Sequence, residues 1–435
     1  MSSRRLACTG ARPIDRQRPP SEGAATPPLF AGHAVRVDAV GHLLPWTGWR
    51  AALDLEMNFY QECPTDRGYP RFAVVTFLDG EWNPHPDRED TIPATQDGMG
   101  IVSYLKYYEQ QGGRDGRYLK TACALGDYLV RETLTPNSGR YPAFTRSTGK
   151  RSGFPLPADA GSQGDRPYEI EPDKGGIAGH ALMNLYRVSG RDVYRLQALH
   201  NARVLADHQQ AGDANTSPWP FRVDYRTGEA RGPVSGNMTY VLRLYDDLLA
   251  QGHEEFRGPR AALWRWIKSY QIPSAAADGA LFAQFFEDHE TPTNRAAWSP
   301  LNLARYLLER REQLTPDWRE DCAALIDFVR KAFTHVELGV TVCHEQDEDP
   351  EAWGGINSTY GAVLALYAQA IDSAELADEA RRALNFTLYS IDARGRPRDL
   401  GKSPQVGGWQ EDAHTDVIHN YVDVLRAFPA WGEHV

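Results

Sequence analysis

Gly355-Ile-Asn-Ser-Thr-Tyr360-Gly-Ala-Val-Leu-Ala-Leu-Tyr367 opens on small and amide-bearing residues and then stays apolar on every face. A helix that borders water carries a stripe of charge, whereas one that is apolar all round is wrapped by protein. The pattern predicts a central helix that starts in a loop. Five other segments read the same way: Asp97-Gly-Met-Gly to Tyr108, Lys174-Gly-Gly-Ile to Tyr186, Gly236-Asn-Met-Thr-Tyr240 to Leu249, Asn294 to Leu308, and Gly408-Trp-Gln-Glu to Phe428. Successive starts lie about 77, 62, 58, 61 and 53 residues apart, a repeat of one supersecondary unit.

After each such segment comes a tight junction and then an amphipathic stretch. Gly112-Gly-Arg-Asp115 leads into 116–134, Ser189-Gly-Arg-Asp192 into 193–210, and Gly252-His-Glu-Glu into 256–271. Thr315-Pro-Asp317 precedes 318–335 and Asp372-Ser-Ala precedes 375–391. Gly, Asp and Ser stand where one helix stops and the next is capped. The sixth partner is supplied by 47–63. The expected fold is all-α: an (α/α)6 toroid of six helical hairpins, inner ring apolar and outer ring charged, with short β-hairpins in the rim loops. Its long loops, 64–96, 136–173, 211–235, 272–293, 336–355 and 392–408, gather at one end. Strand-like patterns occur at Arg71–Phe77 and Trp219–Tyr225. An open α-solenoid is the competing arrangement, but its repeats run shorter and carry short loops throughout.

Composition narrows the possible partners. The chain has 435 residues, 41% hydrophobic and 24% charged, enough for a large core in one unit. A net charge of −11 disfavours nucleic acid and anionic membranes, which require a basic face. Residues 1–30 are rich in Arg, Pro, Ser and Gly without the apolar core of a secretory signal. They are expected to form a disordered tail before a single catalytic domain at 31–435, in the cytoplasm; a start that is processed would allow export instead. The five cysteines are scattered without a CxxC pair, so neither zinc nor a disulfide framework is expected. The acidic run His344–Glu351 lacks the Gly and terminal Glu of an EF-hand calcium loop. No metal and no cofactor are implied.

Candidate site residues come from the long-loop end. Ionisable groups on otherwise apolar central helices are costly unless they line a wet pocket or pair. On the last repeat Asp412, Asp416 and His419 follow i, i+4, i+7 spacing and share a face, with His414 beside them. Asp173 and Lys174 begin the second inner helix, and Glu345 stands in the acidic loop. Asn237-Met-Thr-Tyr240 and Asn357-Ser-Thr-Tyr360 share a motif in which Asn and Thr cap and the tyrosines offer ring faces and hydroxyls. Trp353 and Trp409 sit in rim loops, where aromatic faces stack on pyranose rings.

With six Gly-rich inner helices, Trp-bearing loops and the Gly408-Trp-Gln-Glu-Asp start, the chain resembles the six-hairpin glycosidase superfamily over roughly residues 45–430. That group includes unsaturated glucuronyl hydrolases, other uronic-acid-releasing glycosidases, related polysaccharide lyases and sugar epimerases. The resemblance implies a glycoside hydrolase acting on an oligosaccharide, one ending in a uronic acid among them. Carboxyl candidates are Asp173, Glu345, Asp412 and Asp416, with His414 orienting; Lys174, Arg222 and Arg295 would hold a substrate carboxylate. In the alternative, a lyase or epimerase, Tyr240, Tyr360, His180, His414 or His419 is the base beside Asn237 and Asn357. A non-catalytic sugar-binding protein is the third reading.

Overall fold

The computed structural model describes residues 29–30, 32–62, 65–66, 69–70, 92–148, 165–285, 291–349, 352, 354–396 and 410–433, with the side chains of 29–30, 65–66, 69–70, 410–416 and 433 outside that description. Helices α1 (Trp49–Glu62), α2 (Pro93–Gln110), α3 (Gly116–Glu132), α4 (Pro172–Ser189) and α5 (Asp192–His208) come first. They are followed by α6 (Thr239–Leu249), α7 (Arg257–Trp266), α8 (Ile272–Ala276), α9 (Trp298–Arg310) and α10 (Trp318–Phe333). The last are α11 (Gly354–Ile371), α12 (Ala374–Leu388) and α13 (Gln410–Ala427).

Helices α2, α4, α6, α9, α11 and α13 form the inner ring, each packing on the next and α13 returning to α2. Outside them lie α3, α5, α7 with α8, α10 and α12, each against the inner helix it follows. The sixth outer position is filled by α1, which packs on α13 and closes the ring as an (α/α)6 toroid. An apolar core runs through the ring, from Trp49 and Leu53 to Val424 and Leu425. Because each inner helix is followed by a short turn and an outer helix running back, all six inner helices point the same way. Their N-termini share the long-loop end.

Junction chemistry matches the sequence pattern. The Asp115 carboxylate accepts the Arg117 amide at the start of α3, and the Ser373 hydroxyl accepts the Leu376 amide at the start of α12. Gly190 ends α4 in the left-handed conformation, its amide donating to the Tyr186 carbonyl. One outer helix differs from expectation. The stretch expected to end at 271 continues past Pro273, because a π turn at Ile267–Gln271 widens the helix where the proline supplies no N–H.

Loop strands are short. Glu169–Ile170, Arg222–Asp224 and Ala230–Arg231 make a three-stranded antiparallel sheet, and Thr334–Glu337 pairs with Val340–Cys343. The Trp219–Tyr225 strand pattern therefore contracts to three residues, and the one at 71–77 lies outside the described residues. Described cysteines Cys123, Cys322 and Cys343 are free thiols. Among the described residues no helix is long and apolar enough to cross a membrane.

Candidate active site

Pro172 opens α4 and places Asp173 and Lys174 in its first turn, both without exposed surface. Asp173 Oδ2 accepts a hydrogen bond from Asn237 Nδ2 at 3.1 Å, and Lys174 Nζ lies 3.8 Å from the same oxygen. Asp173 Oδ1 and Asn237 Oδ1 accept no hydrogen bond among the described residues. Lys174 Nζ donates to the Phe285 carbonyl at 2.6 Å, sits 3.4 Å over the Phe285 ring, and is 3.6 Å from Glu171. Behind it, Arg222 pairs with Asp165 and reaches Glu171 at 3.1 Å.

Among the described residues three carboxyls, Asp165, Glu171 and Asp173, lie with two cations, Lys174 and Arg222, and all five are fully buried apart from a trace at Asp165. Burial disfavours the charged form of a carboxyl. It pushes the Asp173 pKa above the usual carboxylate range, against the pull of Lys174 and Asn237. A buried carboxylic acid at the end of a toroid is equipped to give a proton.

An aromatic run leads from this cluster down the bore. The Phe285 ring stacks on Trp298 at 4.6 Å between centroids, Trp298 on Tyr240 at 5.6 Å, and His180 meets Tyr240 edge-on at 5.8 Å. Tyr240 Oη donates to Met99 Sδ at 3.4 Å. Beyond Tyr240 lies a cavity of about 570 Å³, bordered by His180, His419, Asp247, Arg243 and Arg305 among others. His180 Nδ1 is 2.5 Å from Asp247. Burial alone would raise the Asp247 carboxyl, but His180, Arg187 and Arg243 hold it below its ordinary value. His419 is kept neutral, its pKa driven well down by burial and by the charges of Arg305, Lys106 and Arg243.

Several expected site residues are employed elsewhere. Tyr360 points outward, its hydroxyl donating to Glu379 of α12 at 2.8 Å and receiving Arg330 at 3.4 Å, so it offers no face to the bore. Asn357 clamps Cys343 through both of that residue's backbone groups, at 2.7 and 2.8 Å. Arg295 pairs with Asp347 at 2.8 and 2.9 Å and donates to the Asp278 carbonyl. Arg222 is spent on Asp165 and Glu171. Half-buried Glu345 contributes its backbone carbonyl, which accepts the Ala297 amide at 2.8 Å.

Helix α13 runs from Gln410, so positions 412, 416 and 419 do share a face. The side chains of Asp412, His414 and Asp416, and residues Trp353 and Trp409, lie outside the described residues. Glu171 belongs to the acidic stretch Glu169-Ile-Glu-Pro-Asp173 that the sequence places at the start of this inner helix, whereas Asp165 and Phe285 were not anticipated, nor were the bore cations Lys106, Arg243 and Arg305. The last three were detectable by the rule that singled out Asp412, a charge embedded in an apolar inner helix.

No protein-family model matches the chain, and no curated protein matches it. Its fold is shared by solved structures. A cellobiose 2-epimerase from Spirochaeta thermophila superposes with a TM-score of 0.63 at 13% identity, covering 88% of this chain and 96% of that one. A D-mannose isomerase does so at 0.59 and 12%, covering 87% and 97%. A family 76 glycoside hydrolase from a bovine Bacteroides thetaiotaomicron strain gives 0.59 and 12%, covering 88% and 78%. The likeness is one of architecture, and these structures do not single out unsaturated glucuronyl hydrolases.

Proposed function

We propose that the chain is a carbohydrate-active enzyme, a glycoside hydrolase that cleaves a neutral oligosaccharide at the long-loop end of the toroid. The observation carrying this is Asp173: a buried carboxyl with a raised pKa, held by Asn237 at the start of an inner helix in a fold whose solved relatives include a glycoside hydrolase by name. Glycosidic cleavage requires one carboxyl that protonates the leaving oxygen and a second that activates water or attacks the sugar. Asp173 takes the first role. We assign the second to Asp412 or Asp416 on α13, which adjoins α2 in the ring. Among the described residues the cations expected to hold a uronate, Lys174, Arg222 and Arg295, each engage protein carboxylates, which favours a neutral sugar as the substrate.

The test is an Asp173→Asn variant assayed for new reducing ends on a panel of neutral oligosaccharides and aryl glycosides. Loss of a general acid lowers turnover by about 10²–10⁴-fold on natural linkages and far less on activated aryl leaving groups, which need no proton. In the wild type, activity should fall as pH rises through the Asp173 pKa. Full turnover by the variant on every substrate that the wild type cleaves would refute the assignment.

A second reading is favoured by the printed names of similar folds, a cellobiose 2-epimerase and a D-mannose isomerase. It predicts solvent deuterium entering the sugar carbon beside the carbonyl, with no increase in reducing ends. Incubating reducing disaccharides in deuterated water separates the two reactions.

A further inference from the structure

The short-turn end of the bore carries charged groups that the hydrolase reading does not use. His180 and Arg187 stand about 10 and 21 Å further along α4 than Asp173, at a rise of about 1.5 Å per residue, so the cavity of about 570 Å³ opens toward the short-turn end. Its walls bear Lys106, Arg187, Arg243, Arg305, Arg310 and Arg426, opposed by Glu109, Asp247 and Glu309. Asp423, behind the wall, receives Lys106 at 2.6 and 2.8 Å and Arg305 at 3.2 Å. Arg243 pairs with Glu309, and Arg187, Arg310 and Arg426 pair with Asp247, Asp246 and Glu109 at 3.2, 3.4 and 3.3 Å, with Asp246 also holding Arg260 at 2.9 Å. Lys106 and Arg305 share the single carboxylate of Asp423, so among the described residues positive charge remains in excess.

Helix dipoles explain part of this. Arg187, Arg310 and Arg426 occupy last turns, where carbonyl ends favour cations. Lys106, Arg243 and Arg305 lie about a turn or more deeper, beyond the reach of that effect. Arg305 is 4% exposed and tightly positioned: it pairs with Asn420 and approaches His419 Nδ1 at 3.1 Å. Its Nε is buried and donates to no described group. The field is felt locally: burial and then, among its neighbours, the Arg305 charge depress the Lys106 ammonium, though Asp423 opposes them. An entering anion would favour the charged forms of Lys106 and Arg305.

We propose that this mouth is a binding site for a small oxyanion, the phosphate or carboxylate group of a metabolite, held by Arg305 and Arg243 with the rim guanidiniums of Arg187, Arg310 and Arg426. The site stands about 10 Å or more along α4 from Asp173. Calorimetric titration of the full chain with inorganic phosphate, at constant ionic strength set by chloride, should reveal one site per chain. A double variant, Arg187→Gln with Arg426→Gln, should weaken it about tenfold or more. Those side chains are 45% and 42% exposed, so the fold tolerates the change. Acetate in a second arm identifies the source: phosphate binding with acetate silent assigns phosphate esters, and equal affinity for both assigns carboxylates. Silence of both in the wild type, or unchanged phosphate affinity in the double variant, overturns the proposal. Asp173→Asn should leave the titration unaltered, so this site and the hydrolase reading fail independently.

Discussion

Lys174 holds together the charges around the proposed proton donor. Substituting Met would leave Glu171 without its ammonium neighbour in a dry interior and free the Phe285 carbonyl. Breaking a buried pair in this manner costs about 3–5 kcal/mol, which urea denaturation would register; an unchanged midpoint would mean that the cluster is wetter than its burial implies. Arg243 and Glu309 make a pH-dependent pair. Burial would raise the Glu309 carboxyl, but Arg243 outweighs it and holds the pKa at about 2, below the ordinary 4.5. A carboxylate with a depressed folded pKa stabilises above its unfolded value, and the benefit fades as pH falls from 4.5 toward 2. The stability gap between wild type and Glu309→Gln should thus shrink on acidification across that interval. The Glu309 side chain is 40% exposed, so solvent screening keeps the effect modest. A gap that stays constant with pH would show the pair to be electrostatically idle. At this scale Asp173, Lys174 and Asn237 were legible because polar residues at the start of apolar helices are anomalous. The direction of Tyr360 was not, since a helix that is apolar all round does not disclose which side faces the bore.

Between elements, glycines set how closely inner helices approach. A Cβ built on Gly176 of α4 would lie 2.7 Å from the Val241 amide nitrogen of α6, where backbone cannot yield, whereas on Gly98 the nearest atom is the Ile177 methyl at 3.1 Å. Gly176→Ala is accordingly expected to cost about 1–3 kcal/mol and to push Asn237 away from Asp173, lowering both melting temperature and turnover. Gly98→Ala should be milder on both counts; a reversed order would discredit the α4–α6 contact. The π turn before Pro273 teaches a related lesson. Proline reads as a stop signal in sequence, yet the helix bulges and continues because Gln271 turns inward, donating to the Gly236 and Leu281 carbonyls at 2.7 and 3.2 Å. That gain is tertiary and leaves no local mark.

Across the whole molecule, the repeat spacing revealed six units and the assignment of 47–63 as the closing outer helix, since only a partner from the N-terminal side completes the sixth hairpin. The bore was not visible in the same way. Arg305, His419, Lys106 and Asp423 come from three helices, and no spacing within a single segment shows that they meet. Closure rests on Trp49, whose indole donates to Asn385 at 3.2 Å and meets Trp431 edge-on at 5.3 Å. Trp49→Ala should remove about 3–5 kcal/mol. In a closed ring the loss should shift one cooperative transition, read identically by far- and near-ultraviolet circular dichroism, rather than release a lone hairpin.

The join between α1 and α13 spans more than three hundred residues of chain, and closing a loop of that size opposes folding by about 5 kcal/mol of entropy. A nascent polypeptide can assemble its hairpins one after another yet keep the greasy flanks of its two terminal units bare until they meet. Chaperone demand and aggregation during biosynthesis should therefore concentrate in that interval.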